Sequence, residues 1–100
     1  MAFDLETVRA HFPALSKTDD GTPRIHFDNP AGTQVPSMVV ERMSDCLFGA
    51  NANLGGGFRT SRNADTVVAD AHAAMADMLN AASPDEIVYG QNMTTLTFHV

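Results

Sequence analysis

The sequence has little sulfur chemistry and few cations: one cysteine, Cys46, and one lysine, Lys17, in 100 residues. A single thiol excludes an intrachain disulfide framework. Six Lys+Arg face 12 Asp+Glu, for a net charge of -6. That balance argues against a nucleic-acid binder, whose phosphate contacts need clustered cations, and against a polybasic membrane surface. No apolar run approaches the roughly 20 residues that span a bilayer. The chain begins Met1-Ala2-Phe3-Asp4-Leu5-Glu6, with acids where a secretory signal carries basic residues. The expectation is a cytoplasmic protein that engages neither nucleic acid nor membrane. Repeats, low-complexity tracts and heptad arrays are also missing.

What is present is an ordinary globular composition, 44% hydrophobic and 18% charged, too apolar for extended disorder. Residues 4–11 have the pattern of a short helix, with Asp4 as N-cap, Glu6 in the first turn and Pro13 beyond the end. Asp20-Gly21 is a turn signal. Ile25-His26-Phe27 reads as a very short strand running into the turn chemistry of Asp28-Asn29-Pro30-Ala31-Gly32-Thr33. Pro36 opens a second helix, with Val39, Val40, Met43 and Leu47 at helical spacing and Gly49 at its end.

From Ser61 or Asn63 onward, Ala64, Val67, Val68, Ala71, Met75, Met78 and Leu79 form one stripe over roughly five turns. The spacing predicts a long helix whose Met75, Met78 and Leu79 are core, with Asp65 near the N-terminus complementing the helix dipole. Ser83-Pro84-Asp85 breaks it, Glu86-Ile87-Val88-Tyr89 reads as a strand, and Gly90-Gln91-Asn92 is a turn into a last helix from Met93. No stop signal follows that helix, so the chain reads as the front portion of a longer protein. Helix, loop, strand, turn, helix is the grammar of an α/β fold. A lone strand makes no sheet, so the apolar stripe is expected to be exposed unless further chain or a second subunit covers it.

Several features could carry chemistry. The start of the last helix presents unpaired N–H groups, and Thr94 and Thr95 add hydroxyls there. It is either a capped helix or a phosphate-binding turn. No lysine follows in the Walker arrangement, which excludes a P-loop. Gly55-Gly56-Gly57 lacks the dinucleotide-binding spacing and reads as a flexible connector or a close approach to a ligand. Arg59 and Arg62 beside it are either solvated or poised for a carboxylate or phosphate. His11, His26, His72 and His99 are too dispersed for a metal site. Cys46 lies in a helical pattern beside Asp45 and Leu47, neither of which activates a thiol, and reads as buried and inert.

Three segments together resemble the class V aminotransferase family. His26-Phe27-Asp28-Asn29-Pro30-Ala31-Gly32-Thr33-Gln34-Val35-Pro36 is similar to its opening strand and turn, in which a D-N-A-A-T-T run precedes a proline that opens a helix. Asn51-Ala52-Asn53, the glycines and Ser61 resemble the next block, N-x-x-x-x-G-x-H-x-x-S. Glu86-Ile87-Val88-Tyr89-Gly90-Gln91-Asn92-Met93-Thr94-Thr95 resembles E-I-V-F-T-x-G-T-T. Order and spacing agree across residues 20–100, and the cysteine-desulfurase-like branch is the nearest in appearance.

The resemblance implies an incomplete α/β chain, the N-terminal part of a pyridoxal 5′-phosphate (PLP)-dependent transferase of the aspartate-aminotransferase type. Residues 1–60 would belong to the small domain and active-site entrance, and residues 61–100 would begin the large PLP-binding domain. It further implies that Met93, Thr94 and Thr95 grip the PLP phosphate, and that Ala31 and Gly32 line the substrate pocket. Asn53 and Arg59 would lie on a loop that reaches the active site across a homodimer interface. The small-molecule substrate would be an amino acid, cleaved or transferred at its α- or β-carbon with PLP as electron sink. The Schiff-base lysine comes later in the family's chains, and Lys17 matches none of its motifs, so these 100 residues alone are expected to be inactive. Leu54-Gly55-Gly56-Gly57-Phe58-Arg59 replaces H-R-G-x-H, Met93 replaces the glycine of G-T-T, and Pro30 and Gly32 alter the first turn. These departures favour a desulfurase-like or epimerase-like relative over a true desulfurase. The alternatives are a non-catalytic interaction or dimerisation module derived from the family, and a small anion-binding domain built on Thr94-Thr95.

Overall fold

A computed structural model describes residues 4–100 as mostly helical, in two compact units, one ending at Phe48 and the other Gly49–Val100.

In the first unit, α1 (Leu5–Ala10) starts at Asp4, whose carboxylate accepts the Thr7 N–H at 3.3 Å and the Thr7 hydroxyl. The Thr7 hydroxyl bond, then the N–H bond, holds the Asp4 carboxyl below its ordinary value. A 3₁₀ turn follows at Pro13–Ser16. Strands β1 (Thr18–Asp19) and β2 (Thr22–Pro23) pair antiparallel, Thr18 with Pro23 and Asp19 with Thr22. Asp20 and Gly21 both have positive φ, 50° and 80°, as a two-residue hairpin turn requires. Arg24 closes the hairpin by pairing with Asp19 at 2.5 and 2.8 Å, and this bond lowers the Asp19 carboxyl. The expected strand at Ile25-His26-Phe27 does not form. The Asp-Gly turn instead pairs the residues directly flanking it, while Ile25 and Phe27 stay exposed and unladdered. Helix α2 (Ser37–Gly49) begins just after Pro36, as expected, and its first N–H donates to the His11 carbonyl at 2.9 Å. Val39, Val40, Met43 and Leu47 lie on it exposed, and Cys46 is half-buried rather than buried.

In the second unit, α3 (Arg59–Leu79) starts two residues before the earlier expected start. It ends where Asn80 takes a left-handed conformation and the Ala81 N–H closes on the Ala76 carbonyl at 2.9 Å. A 3₁₀ turn at Pro84–Glu86 is capped by the Ser83 hydroxyl, and α4 (Met93–His99) is capped by Asn92. Glu86-Ile87-Val88-Tyr89 is not a strand. Glu86 belongs to the 3₁₀ turn, and Ile87 is extended and buried but meets no ladder partner among the described residues. A strand exists only as a pairing, and sequence pattern cannot supply the neighbour. The α/β architecture is therefore not drawn by these residues themselves, which carry one short antiparallel ribbon.

The core is small. Buried apolar residues among those described are Ala50, Ala64, Ala76 and Ile87, all in the second unit. Met78 and Leu79, expected as core, are 77% and 62% exposed, and Val67 and Val68 are exposed beside them. The stripe is real but only partly covered: Ala64 is buried and Met75 half-buried, while Ala71 is exposed. The apolar face therefore stands open in this chain.

Candidate functional site

The 49–59 loop is held by the helix that follows it. Phe58 starts α3 without a side-chain cap, and the polar residues of the first two turns reach back to the loop instead. The Ser61 hydroxyl, wholly buried, donates to the Asn53 carbonyl at 2.6 Å and accepts the Gly56 N–H at 2.7 Å. Arg62 donates to the Gly57 carbonyl, and Asn63 to the Gly49 carbonyl at 3.0 Å. Asp65 accepts the Gly55 N–H at 3.0 Å. With the helix beginning at Arg59, Asp65 is in the second turn, too deep for much dipole interaction, and the loop amide is its partner. The glycine run is thus a fastened loop rather than a slack connector. Its three members differ: Gly55 has φ +77°, and a Cβ on Gly56 would sit 2.6 Å from the Phe58 ring and 2.8 Å from the Ser61 hydroxyl. A Cβ on Gly57 would meet nothing within 4 Å. Asn53 and Arg59 stand exposed on this loop and at the helix start.

The turn before α4 rests on the middle of the same helix. The Tyr89 hydroxyl donates to the Ala71 carbonyl at 2.7 Å, and its ring meets His72 edge-on at a centroid distance of 5.0 Å. The His72 ring nitrogen lies 3.3 Å from the Pro84 carbonyl. A Cβ at Gly90 would come within 2.5 Å of Leu96, so the turn closes tightly against α4. Asn92 accepts the Thr95 N–H at 2.8 Å, and the Thr97 hydroxyl donates to the Met93 carbonyl at 2.8 Å. Among the described residues the Met93 and Thr94 amides have no acceptor partner, as expected at a helix start. Met93 and Thr94 are exposed and Thr95 half-buried. Capping and anion binding are therefore compatible here: Asn92 occupies one amide and leaves two. From Ser61 to Ala71 is ten residues, so the two fastenings lie about 15 Å apart along α3.

Ala31 and Gly32 lie in the first unit, at the end of a 3₁₀ turn (Asn29–Ala31), exposed. The Gly32 N–H donates to the Asn29 carbonyl at 3.0 Å. The Gln34 amide nitrogen lies 3.0 Å from His26 Nδ1 and 3.4 Å from the Gly32 carbonyl. Facing two acceptors, that amide is the donor, which leaves the His26 proton on Nε2, a buried atom with no partner among the described residues. A cavity of about 270 Å³ adjoins it, lined by Phe12, Leu15, His26, Asn29, Thr33 and Gln34. Among the described residues no cluster of His, Cys, Asp or Glu is placed to hold a metal, and no helix is long and apolar enough to cross a membrane.

Sequence pattern named Asn53, Arg59, Met93, Thr94 and Thr95 but not the side chains that hold their backbone. Ser61 appeared within a motif and as a candidate helix start, and Tyr89 within a motif and an expected strand. Neither has a periodic signal, because each acts through a hydrogen bond to a residue eight or more positions away.

Residues 25–100 match the family described as aminotransferase class-V. A probable cysteine desulfurase of Mycolicibacterium paratuberculosis is 33% identical over 92% of this chain and 14% of its own length. A cysteine desulfurase of Synechococcus elongatus is 34% identical over 94% of the chain and 15% of its own length. An aminotransferase-like protein of Gibberella zeae is 35% identical over 93% of the chain and 23% of its own length. The chain thus spans less than a quarter of the length of each of these three relatives.

Proposed function

Since the chain belongs to the class V aminotransferase family, we propose that it is the N-terminal portion of a PLP-dependent, cysteine-desulfurase-like enzyme that acts on an amino acid. The observation that carries this reading is the start of α4, where one amide is capped by Asn92 and two remain available beside the Thr94 and Thr95 hydroxyls. That donor set fits a phosphate dianion, for which N–H and O–H donors at a helix start are the usual partners. Similarity to proteins described as cysteine desulfurases supports the same reading.

In this proposal Met93, Thr94 and Thr95 hold the phosphate of PLP, through the amides of Met93 and Thr94 and the hydroxyls of Thr94 and Thr95. PLP supplies the electron sink for bond cleavage at the substrate amino acid. Ala31 and Gly32 line the substrate pocket through their backbone. Asn53 offers an amide, and the Arg59 guanidinium offers two parallel donors that suit a carboxylate. Residues 1–60 contribute to the small domain and entrance, and residues 61–100 begin the large domain. The only lysine, Lys17, stands outside these motifs, so the covalent attachment of PLP belongs to chain beyond these residues. Leu54-Gly55-Gly56-Gly57-Phe58-Arg59 carries no histidine where many desulfurases have two, which favours a desulfurase-like or epimerase-like activity.

The test is PLP titration of the complete enzyme and its Thr94→Ala/Thr95→Ala variant, with pyridoxal as the phosphate-free control. Hydrogen bonds to charged groups are worth about 1.5–3 kcal/mol each, so the variant should bind PLP at least about tenfold more weakly and pyridoxal unchanged. Equal losses for both ligands would sink the assignment of this turn. The 100 residues alone should give no borohydride-reducible PLP band on Lys17.

A second reading draws on the exposed apolar faces of α2 and α3. Faces of this kind suit burial in a homodimer or against a partner, with or without catalysis. Sedimentation of the chain distinguishes them: a monomer at micromolar concentration counts against a dimerisation module.

A further inference from the structure

Asn53 and Arg59 are exposed residues on a glycine-rich loop, and such a loop alone would leave them in many orientations. Four side chains from the first two turns of α3 prevent this. Ser61, Arg62, Asn63 and Asp65 between them bond the backbone of residues 49, 53, 55, 56 and 57. None of the four serves as the N-cap of α3, since Phe58 starts the helix without one. Ser61 is the centre of the arrangement. One hydroxyl, shielded from water, donates to Asn53 and accepts from Gly56, so residues 53–56 are pinned at both ends to a single atom.

We infer that Ser61 and Asp65 are positioning residues: they fix the 53–59 loop so that Asn53 and Arg59 meet the substrate already oriented. This rests on the proposed substrate role of Asn53 and Arg59. Groups carried on a helix are already ordered, so a loop bonded to them needs little further ordering when substrate arrives. Gly56 is part of the device, because its missing side chain is what lets the loop amide approach Ser61. Asp65 acts at the other end of the run, on the amide of Gly55, whose positive φ turns the chain.

Two measurements test this. Amide exchange of Gly55 and Gly56 in the full chain reads the fastening without any reference to catalysis. Both amides should be protected; Ser61→Ala should speed Gly56 and Asp65→Ala should speed Gly55, each about tenfold, as loss of one net hydrogen bond implies. Asp65→Asn keeps an acceptor oxygen and should restore protection. Unprotected amides in the parent protein overturn the inference. In the complete enzyme, Asp65→Ala should raise KM for the amino acid several-fold with kcat within a factor of two, and Asp65→Asn should recover it. Asp65 is only half-buried, so this variant keeps the test open if Ser61→Ala fails to fold. Altered exchange with unchanged KM would reduce both residues to structural supports and defeat the positioning role. Absence of PLP-dependent turnover would defeat the proposed function instead, and the exchange data would still decide the fastening.

Discussion

The two glycine-containing loops of this chain, residues 29–33 in the first unit and 53–57 in the second, are stabilised in different ways. The first is held by its own short 3₁₀ turn and by Gln34, the next residue, which donates back to the Gly32 carbonyl. No buried residue lies in the helices around it. The second is bonded by a long helix through a fully buried hydroxyl. The second carries three glycines to the first's one and is still the more firmly bonded, so glycine content does not decide order. What decides it is whether a rigid element supplies hydrogen-bond partners that water cannot replace.

The contrast can be broken most directly at Gly56. Gly56→Ala places a methyl against Phe58 and Ser61 and should destabilise the second unit by about 1–3 kcal/mol, the usual range for overpacking. Gly57→Ala, with open space around it, should shift the urea midpoint by much less. Equal effects would mean that the run is slack after all.

A smaller effect is expected at Tyr89. Tyr89→Phe removes one bond to the Ala71 carbonyl and should cost about 1 kcal/mol in urea unfolding, with the ring contact to His72 retained. If the loss spreads to the 53–57 amides in hydrogen exchange, the two fastenings on α3 are coupled.

The smallest effect belongs to the first unit. Asp4 and Asp19 are fully exposed, and each carboxyl is lowered, by Thr7 and by Arg24. A carboxyl lowered by folding adds stability above its unfolded pKa, about 4, and that contribution is lost as pH falls through the lower folded value. The Asp19 contribution is thus present at pH 7 but small, because the pair is exposed, so Asp19→Asn should lower stability there only slightly and flatten the acid limb. A large loss at neutral pH would show that the hairpin matters more to the first unit than an exposed ion pair should.

How much was legible in the sequence follows the range of each interaction. Caps, turns and helices were readable where their signals are local: Asp4 before α1, Asp20-Gly21 in the hairpin, Pro36 before α2, and Asn92 with Thr94 and Thr95 at α4. The motif order was readable too, and it pointed to the family that residues 25–100 match. Strands at Ile25-His26-Phe27 and Glu86-Ile87-Val88-Tyr89 were misread, because β propensity describes a surface fit to pair and not the pair itself. Exposure of much of the stripe was expected for want of a sheet, but Met78 and Leu79 were misplaced in the core, because helical periodicity marks which face is apolar without saying what covers it.

The sequence by itself therefore determined the helix boundaries to within a few residues, the turn chemistry and the family, all of which rest on neighbouring residues or on motif order. Only tertiary structure decided that the glycine run is fastened and that Ser61 is its centre. Those outcomes depend on side chains of a helix meeting the backbone of a loop five to 14 positions earlier, which no periodicity records. One cysteine, one lysine and few cations excluded much at the outset; a single buried serine hydroxyl, present in a motif but with no sign there of its bonds, organises the loop that the motifs pointed to.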